Sequence, residues 1–453
     1  MKALSKHPLL YESNPRARLT ELSQQLGRRA ALDDLPPAEL DRLAEFGFEF
    51  IWLLGVWQTG SIGRQISRTL PQLLEGYPEA LPDVNETDIC GSPFAVVSYT
   101  VSSELGGEEA LARLRTLLRE RGMRLMLDFV PNHTAIDHPW VREHPEFYVR
   151  GSERDLQREP ANYLLIPGAG VFAHGRDPYF AGWSDTLQLN YGNDSLQQAM
   201  RQELLNIAGA CDGVRCDMAM LLNPDVFQRT WGISTQPFWP EAIRQVRSAH
   251  AGFTFMAEVY WDLEWNLQQQ GFDYTYDKRL YDRLRSRDAN AVRSHLVAGI
   301  DFQRKLARFL ENHDEPRAAE VFPADVHKAA ALITYATPGL RFFHEGQLEG
   351  WRRKASVHLC RRAVEPEDPG IWEFYAWLLD QLKAPSFQNG AWEMLEASSP
   401  DFLAFLWSDA EERKLVLINF SPRQGECEVR LRADGLARFT LSAWGFEVIA
   451  IEA

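Results

Sequence analysis

The sequence predicts an α/β fold: a (β/α)8 barrel, a small subdomain inserted after its third strand, and a C-terminal all-β sandwich. Three observations predict it. Short apolar, β-rich runs alternate with amphipathic helical stretches over most of the 453 residues, the pattern of a parallel sheet covered by helices. Eight such runs can be counted, the number that closes a barrel. After the aromatic helical stretch Ile371–Lys383 helical periodicity stops, and short strands separated by turn residues take over.

In chain order, the strand runs are Leu9–Arg16, Phe48–Val56, Arg124–Val130, Gly213–Ala219, Phe253–Tyr260, Phe272–Tyr276, Ala307–Glu311 and Leu340–His344. Between them lie the helix patterns Pro36–Glu45, with prolines near its first turn, Glu108–Arg121, Asp194–Ala210, Pro240–His250 and Ala324–Tyr335. From Pro131 to Asn193 the chain runs through Pro, Gly, His, Trp and Tyr without periodicity, too long for a plain loop. The expected division is therefore a barrel over 1–130 and 194–385, an insert over 131–193, and a β domain over 386–453. The last contains the runs AWEML, FLAFLW, KLVLIN, CEVRL and FEVIAIE.

Composition narrows the function. Lys and Arg number 48 against 63 Asp and Glu, a net charge of −15, which repels polyanions and offers no footprint for nucleic acid or anionic lipid. A neutral or cationic small molecule is the expected ligand. No run approaches the roughly 18 apolar residues of a membrane span. The opening MKALSKHPLLYESNPR holds no apolar signal core. The five cysteines are scattered without a CxxC pair, as expected of reduced thiols, and a cytoplasmic location is expected. Oligomeric state is left open. No P-loop, GxGxxG or HExxH pattern occurs, so phosphate, dinucleotide and zincin chemistry have no support.

In a (β/α)8 barrel reactive groups sit at the C-terminal strand ends. There the chain places Asp128, Asn132 and His133 (DFVPNH), Arg215 and Asp217 (GVRCDMAM), Glu258 (MAEVYW), and Glu311, His313 and Asp314 (ENHDEPR). Each carboxylate alone reads as a cap, a turn residue or a buried ion pair. Carboxylates at four strand ends of one barrel, with an arginine and two histidines, suit glycoside chemistry: one carboxylate attacks the anomeric carbon and another protonates the leaving oxygen. Arg215 stands two residues before Asp217 on one strand face, placed to keep it ionised. Glu258, near Tyr260 and Trp261, is expected in a more apolar setting with a raised pKa.

The four motifs, in this order on strands three, four, five and seven, resemble the ordered sequence regions of glycoside hydrolase family 13, the α-amylase family. The resemblance covers most of the chain, and the insert and terminal β domain match it. It implies that Asp217 is the nucleophile, Glu258 the general acid/base and Asp314 a third carboxylate that holds sugar hydroxyls, with retention of α-configuration. It further implies substrate-binding roles for His133 and His313, an orienting role for Arg215 and support from Asp128. The segment GSPFAVVSY resembles the family's aromatic-platform stretch, with Phe94 at the platform. Retention requires the Asp217 and Glu258 carboxyls about 5 to 5.5 Å apart, and no cofactor is expected.

Two departures are informative. Starch-degrading members often carry a Lys-His pair after the nucleophile, whereas this chain has Met218, Ala219, Met220, Leu221 and Leu222. That removes polar partners for a leaving glucan and argues against a generic endo-acting amylase. Asn132 matches a frequent calcium-ligand position, but no dense Asp/Asn cluster in the insert completes a seven-oxygen cage. The loop after strand eight brings His344, Glu345, Gln347, Arg352 and Arg353 near the mouth, as a solvated surface or as contacts to an anionic aglycone. Loop tryptophans, Trp57, Trp183, Trp261 and Trp351 among them, read first as anchors to the core. The expected activity is hydrolysis of short α-glucosides or maltooligosaccharides. A transglycosidase or isomerase on the same scaffold is the alternative, and a non-catalytic sugar-binding member is disfavoured by the intact carboxylates.

Overall fold

All eight expected runs form strands of one closed parallel barrel in the computed structural model: β1 (Leu9–Ser13), β2 (Phe48–Leu53), β3 (Arg124–Phe129), β4 (Gly213–Cys216), β5 (Thr254–Ala257), β6 (Tyr274–Tyr276), β7 (Leu306–Arg308) and β8 (Leu340–His344). Neighbours follow chain order, and β1 closes on β8. Residues 3–431 and 435–451 are described; Met1 and Lys2 of the opening segment and Glu452 of the last strand run lie outside them. The runs are apolar almost throughout because both faces are covered, the inner by the barrel core and the outer by helices.

Most strands end earlier than their apolar runs, for local reasons. The run Leu9–Arg16 stops at Ser13 because Asn14 caps the helix Pro15–Leu26, accepting hydrogen bonds from Arg16 N and Ala17 N, with proline at the first helical position. The run Gly213–Ala219 stops at Cys216 because Met218 takes a left-handed conformation, φ 43°, and turns the chain into the short helix Ala219–Leu222. Asp217 is thereby lifted past the strand onto the barrel's C-terminal face.

The helices Asp194–Ala210 and Ala324–Tyr335 have the expected limits; the first is capped by Asn193, which accepts from Ser195 N and Leu196 N. The insert holds two antiparallel pairs, His133–Ala135 with Thr186–Gln188 and Tyr163–Ile166 with Gly170–Ala173. The first pair leaves and re-enters the barrel beside the site, so that it places His133.

The C-terminal strands β9 (Ala391–Leu395), β10 (Phe402–Ser408), β11 (Arg413–Asn419) and β14 (Phe446–Ile451) form one antiparallel sheet; β12 (Gly425–Leu431) and β13 (Gly435–Leu441) form a second. Strand β13 was not foreseen, although Ala437, Phe439 and Leu441 alternate onto the core of the terminal sheets while Leu436, Arg438 and Thr440 are exposed. Alternation along β10 explains the packing: Leu403, Phe405 and Trp407 join the barrel core, whereas Phe402, Ala404 and Leu406 face Cys427 and Val429 of the second sheet. Trp407 donates its indole N–H to Ala336 O at 2.7 Å, fastening the sheet to the barrel.

Candidate active site

Barrel register brings the polar strand ends together. Arg215 on β4 lies opposite Asp128 on β3 and Met256 on β5. Beyond the strands the ladder continues, with Asp217 N donating to Phe129 O at 2.9 Å and Glu258 N to Cys216 O at 3.0 Å. Asp217 and Glu258 therefore leave the sheet side by side, with Arg215 just below them.

The guanidinium of Arg215, 1% exposed, is the centre of the site. Its Nη1 donates to Asp217 Oδ1 and its Nη2 to Glu258 Oε2, both at 2.7 Å, while Asp128 Oδ1 lies 3.5 Å from Nη1. Arg215 Nε donates to the Tyr276 hydroxyl at 3.3 Å, and the rings of Phe94 and Trp52 stand 5.2 and 5.3 Å from the guanidinium carbon. Glu258 is not in the apolar setting its neighbours Tyr260 and Trp261 suggest. Oε2 also accepts from Met218 N at 2.8 Å and Oε1 from the Tyr260 hydroxyl at 2.8 Å. The left-handed Met218 is what aims that N–H at the carboxylate.

One guanidinium cannot neutralise three buried carboxyls. Burial raises the pKa of Asp217, and Glu258 and Asp128 add to the rise while Arg215 opposes it. Asp217 does not stay in the ordinary carboxylate range, as adjacency to Arg215 alone predicted. Asp128 is likewise pushed up to about 6 by burial, against the pull of Arg215 and of the Gly55 N–H. The cluster thus binds a proton rather than carrying three full charges.

Asp314 stands at the mouth, with 43% of its side chain exposed. His313 Nε2 lies 3.0 Å from Asp314 Oδ2, and His313 Nδ1 lies 2.6 Å from Glu12 Oε1. Burial works against a charged imidazole, yet Asp314 and Glu12 raise His313 to about 10. Desolvation works against an ionised Asp314, yet His313 holds it well below the ordinary carboxylate range. The imidazolium stabilises the third carboxylate.

A cavity of about 340 Å³ brings together Phe94, His133, Arg215, Asp217, Glu258, His313 and Asp314. Trp183 packs on His133 with ring centroids 5.1 Å apart, and burial lowers His133 to about 4, keeping it neutral. Asp128 lies beneath the cavity and does not line it, accepting from Gly55 N at 2.7 Å and standing 3.5 Å from Arg215 Nη1, a place from which it supports Arg215. Asn132 is held by a partner amide. Gln188 Nε2 donates to Asn132 Oδ1 and O, both at 3.0 Å, and Asn132 Nδ2 donates back to Gln188 Oε1 at 3.2 Å. This amide pair satisfies the polar atoms of Asn132 and supplies no anionic oxygen, a poor fit to calcium.

The loop after β8 divides. His344, Glu345 and Gln347 are buried: Glu345 accepts from Asn14 N at 3.0 Å, and Arg317 bridges Glu311 and His344. Arg352 and Arg353 are exposed and, with Lys354, line a cleft of about 880 Å³ that shares His313 and Asp314 with the smaller cavity. Trp57 is an anchor, its indole donating to Asp128 O at 2.7 Å, whereas Trp183 is a cavity wall.

Sequence reasoning missed Glu12, Tyr276, Asp185 and His358. Glu12 is fully buried at the end of β1, and a carboxylate inside the run LLYES was the available signal. Tyr276 ends β6 by the same logic. Asp185 and His358 line the cavity from irregular segments, where no periodicity marks them.

Comparison with known proteins agrees with this geometry. Residues 39–367 match the family Alpha-amylase, described as "Alpha amylase, catalytic domain". Alpha-amylase 3 of Dictyoglomus thermophilum is 21% identical over 71% of this chain and 73% of its own. Alpha-1,4-glucan:maltose-1-phosphate maltosyltransferase of Pseudomonas aeruginosa is 26% identical over 57% of this chain, which spans a third of that protein. The fold superimposes on cyclic alpha-maltosyl-(1→6)-maltose hydrolase from Arthrobacter globiformis with a TM-score of 0.73 at 16% identity, covering 100% of both chains. With the barrel, the ordered motifs and a family match over most of its length, the chain belongs to the α-amylase family of glycoside hydrolases and transglycosidases.

Proposed function

We propose that the protein hydrolyses short α-glucosides or maltooligosaccharides with retention, through a glycosyl-Asp217 intermediate. The observation that carries this reading is the single guanidinium of Arg215 holding Asp217 and Glu258 at 2.7 Å each on the wall of one small cavity. The general-acid role requires Glu258 to enter the reaction with a proton and Asp217 to be ionised against Arg215. Glu258 gives that proton to the glycosidic oxygen as Asp217 Oδ bonds the anomeric carbon. Glu258, again a carboxylate, then takes a proton from water as the oxygen of that water displaces Asp217. Arg215 and Tyr260 keep both carboxyls in place through the two steps, and Asp314 with His313 accepts and donates to sugar hydroxyls.

The segment after the nucleophile supports a short substrate. Ala219–Leu222 is buried and Met218 lines the cavity, so that side offers a leaving glucan an apolar wall. Likeness to the Pseudomonas maltosyltransferase supports a second reading, in which a sugar or phosphate acceptor takes the glycosyl group from Asp217 before water does. A proton NMR time course with maltotetraose and α-linked disaccharides, with and without phosphate, tests both. Shorter sugars released first as the α-anomer are expected. Isomerised or longer products, or turnover that needs phosphate, would move the assignment to transfer, and β-anomers would overturn retention.

A further inference from the structure

Two cysteines outside the reaction meet beside the site. Ile89 and Leu359 form an antiparallel bridge, flanked by hydrogen bonds from Cys90 N to His358 O and from Cys360 N to Asp88 O, both 2.8 Å. The offset puts Cys90 and Cys360 diagonally across one face of the bridge, with Cys90 Sγ 3.3 Å from His358 O and Cys360 Sγ 3.7 Å from Thr87 O. Cys90 is 8% exposed and Cys360 is half-buried. Both line a cavity of about 240 Å³ with Arg16, Arg29, Arg64 and Arg68.

That cavity is cationic. Its one lining carboxylate, Glu104, pairs with Arg64 at 3.2 Å. The other polar contacts within it go mostly to carbonyl oxygens: Arg16 Nη1 to Gly91 O at 2.8 Å, Arg64 Nε to Cys90 O at 3.3 Å, Arg68 Nε to Ile89 O at 3.3 Å. Arg68 Nη1 also pairs with Glu86 at 3.5 Å, so among the described residues the charge that no carboxylate meets is that of Arg16 and Arg29, whose contacts go to Gly91 O and Glu104 O. Arg16 Nη1 also reaches Cys90 Sγ at 3.5 Å. The neighbouring Cys360, Arg16 and Arg64 hold the Cys90 thiol low despite its burial, whereas burial raises Cys211 and Cys216.

We propose that Cys90 and Cys360 are an oxidisable dithiol site for anionic low-molecular-weight disulfides of the glutathione type, and that oxidation staples two loops of the catalytic cavity together. One loop carries Ser92 and Phe94, the other His358, and all three line that cavity. Cys90 thiolate attacks one sulfur of the oxidant; the bond between them forms, the oxidant's S–S bond breaks, and the first thiolate leaves with the electron pair and takes a proton. Cys360, deprotonated, then attacks Cys90 Sγ, closing the Cys90–Cys360 bond and releasing the second thiolate. Two protein thiols lose two electrons, and one disulfide is reduced to two thiols.

The test treats the whole protein with oxidised glutathione or with the neutral bis(2-hydroxyethyl) disulfide and follows products by peptide mass spectrometry. Expected is a Cys90–Cys360 cross-link without retained glutathione, formed about tenfold faster at low salt with the anionic oxidant than with the neutral one. Cys360→Ser should stop at a glutathione adduct on Cys90. Adducts that persist on the wild-type protein, absence of the cross-link, or equal rates with both oxidants would overturn the site. Its effect on turnover rests on the proposed hydrolase reading: a change in kcat reversed by dithiothreitol is expected, and an unchanged kcat overturns the coupling. A protein that cross-links but cleaves no glucan overturns that reading and leaves the dithiol site standing.

Discussion

Glu12 Oε1 lies 2.6 Å from His313 Nδ1 although 301 residues separate them in the chain. Closure of the barrel between β1 and β8 brings the end of β1 under the loop that follows β7. Asp314 and Glu12 together make His313 an imidazolium, which in turn holds Asp314 ionised.

The Glu12–His313 pair has a pH signature. The folded pKa of His313 is raised from 6.5 to about 10, so its contribution to stability is fully present below 6.5 and is lost as the pH rises through about 10. Glu12→Gln should lower stability near neutral pH by about 1.5–3 kcal/mol, the worth of a hydrogen bond to a charged group, and flatten the decline toward alkaline pH. Thermal unfolding of both proteins across that range checks it; parallel curves would show that Glu12 does not charge the histidine.

For Asp217→Asn we expect kcat to fall ~10⁴-fold or more without loss of fold. Because the native pKa of Asp217 is raised above 3.8 by burial, its stability contribution is full below 3.8 and is lost as the pH rises through the native value. The asparagine variant should therefore be at least as stable as the wild type in alkaline buffer. Near-normal turnover would remove Asp217 from the nucleophile's role.

Replacing Glu258 with Gln removes the proton donor, at a cost of about 10²–10⁴ in rate for substrates with poor leaving groups. Aryl α-glucosides with acidic phenols should be spared in the first step. Equal loss across a series of phenols of different pKa would contradict Glu258 as the acid.

Arg215→Lys replaces a two-pronged donor with a point charge, which cannot hold Asp217 and Glu258 at once. A fall in kcat of about 10²–10³ is expected, comparable to losing one preorganised donor, with the larger effect in kcat than in KM. Steady-state kinetics on maltotetraose would reveal the opposite split if Arg215 served only to bind sugar.

The amide pair of Asn132 and Gln188 predicts that a chelator leaves the unfolding temperature unchanged. Differential scanning calorimetry with and without EDTA decides this. A drop restored by calcium would show that Asn132 shares its oxygen with an ion.

Much of this protein was determined by the sequence itself. Apolar runs such as FEFIWL and RLMLDF are confined by continuous burial to a two-sided parallel sheet. Asp128, Arg215, Asp217, Glu258 and His313 were legible because charged residues ending several such runs at one end of a barrel have few joint structural uses. What only the tertiary structure decided lies where contact arises from closure and not from spacing. No periodicity in the chain tells that Glu12 meets His313, that the Met218 N–H meets Glu258, or that Cys90 meets Cys360. The charge state of Asp217 belongs to the same class: spacing showed the arginine two residues away, but burial and two further carboxyls from other strands, which set the proton, exist only in the folded barrel.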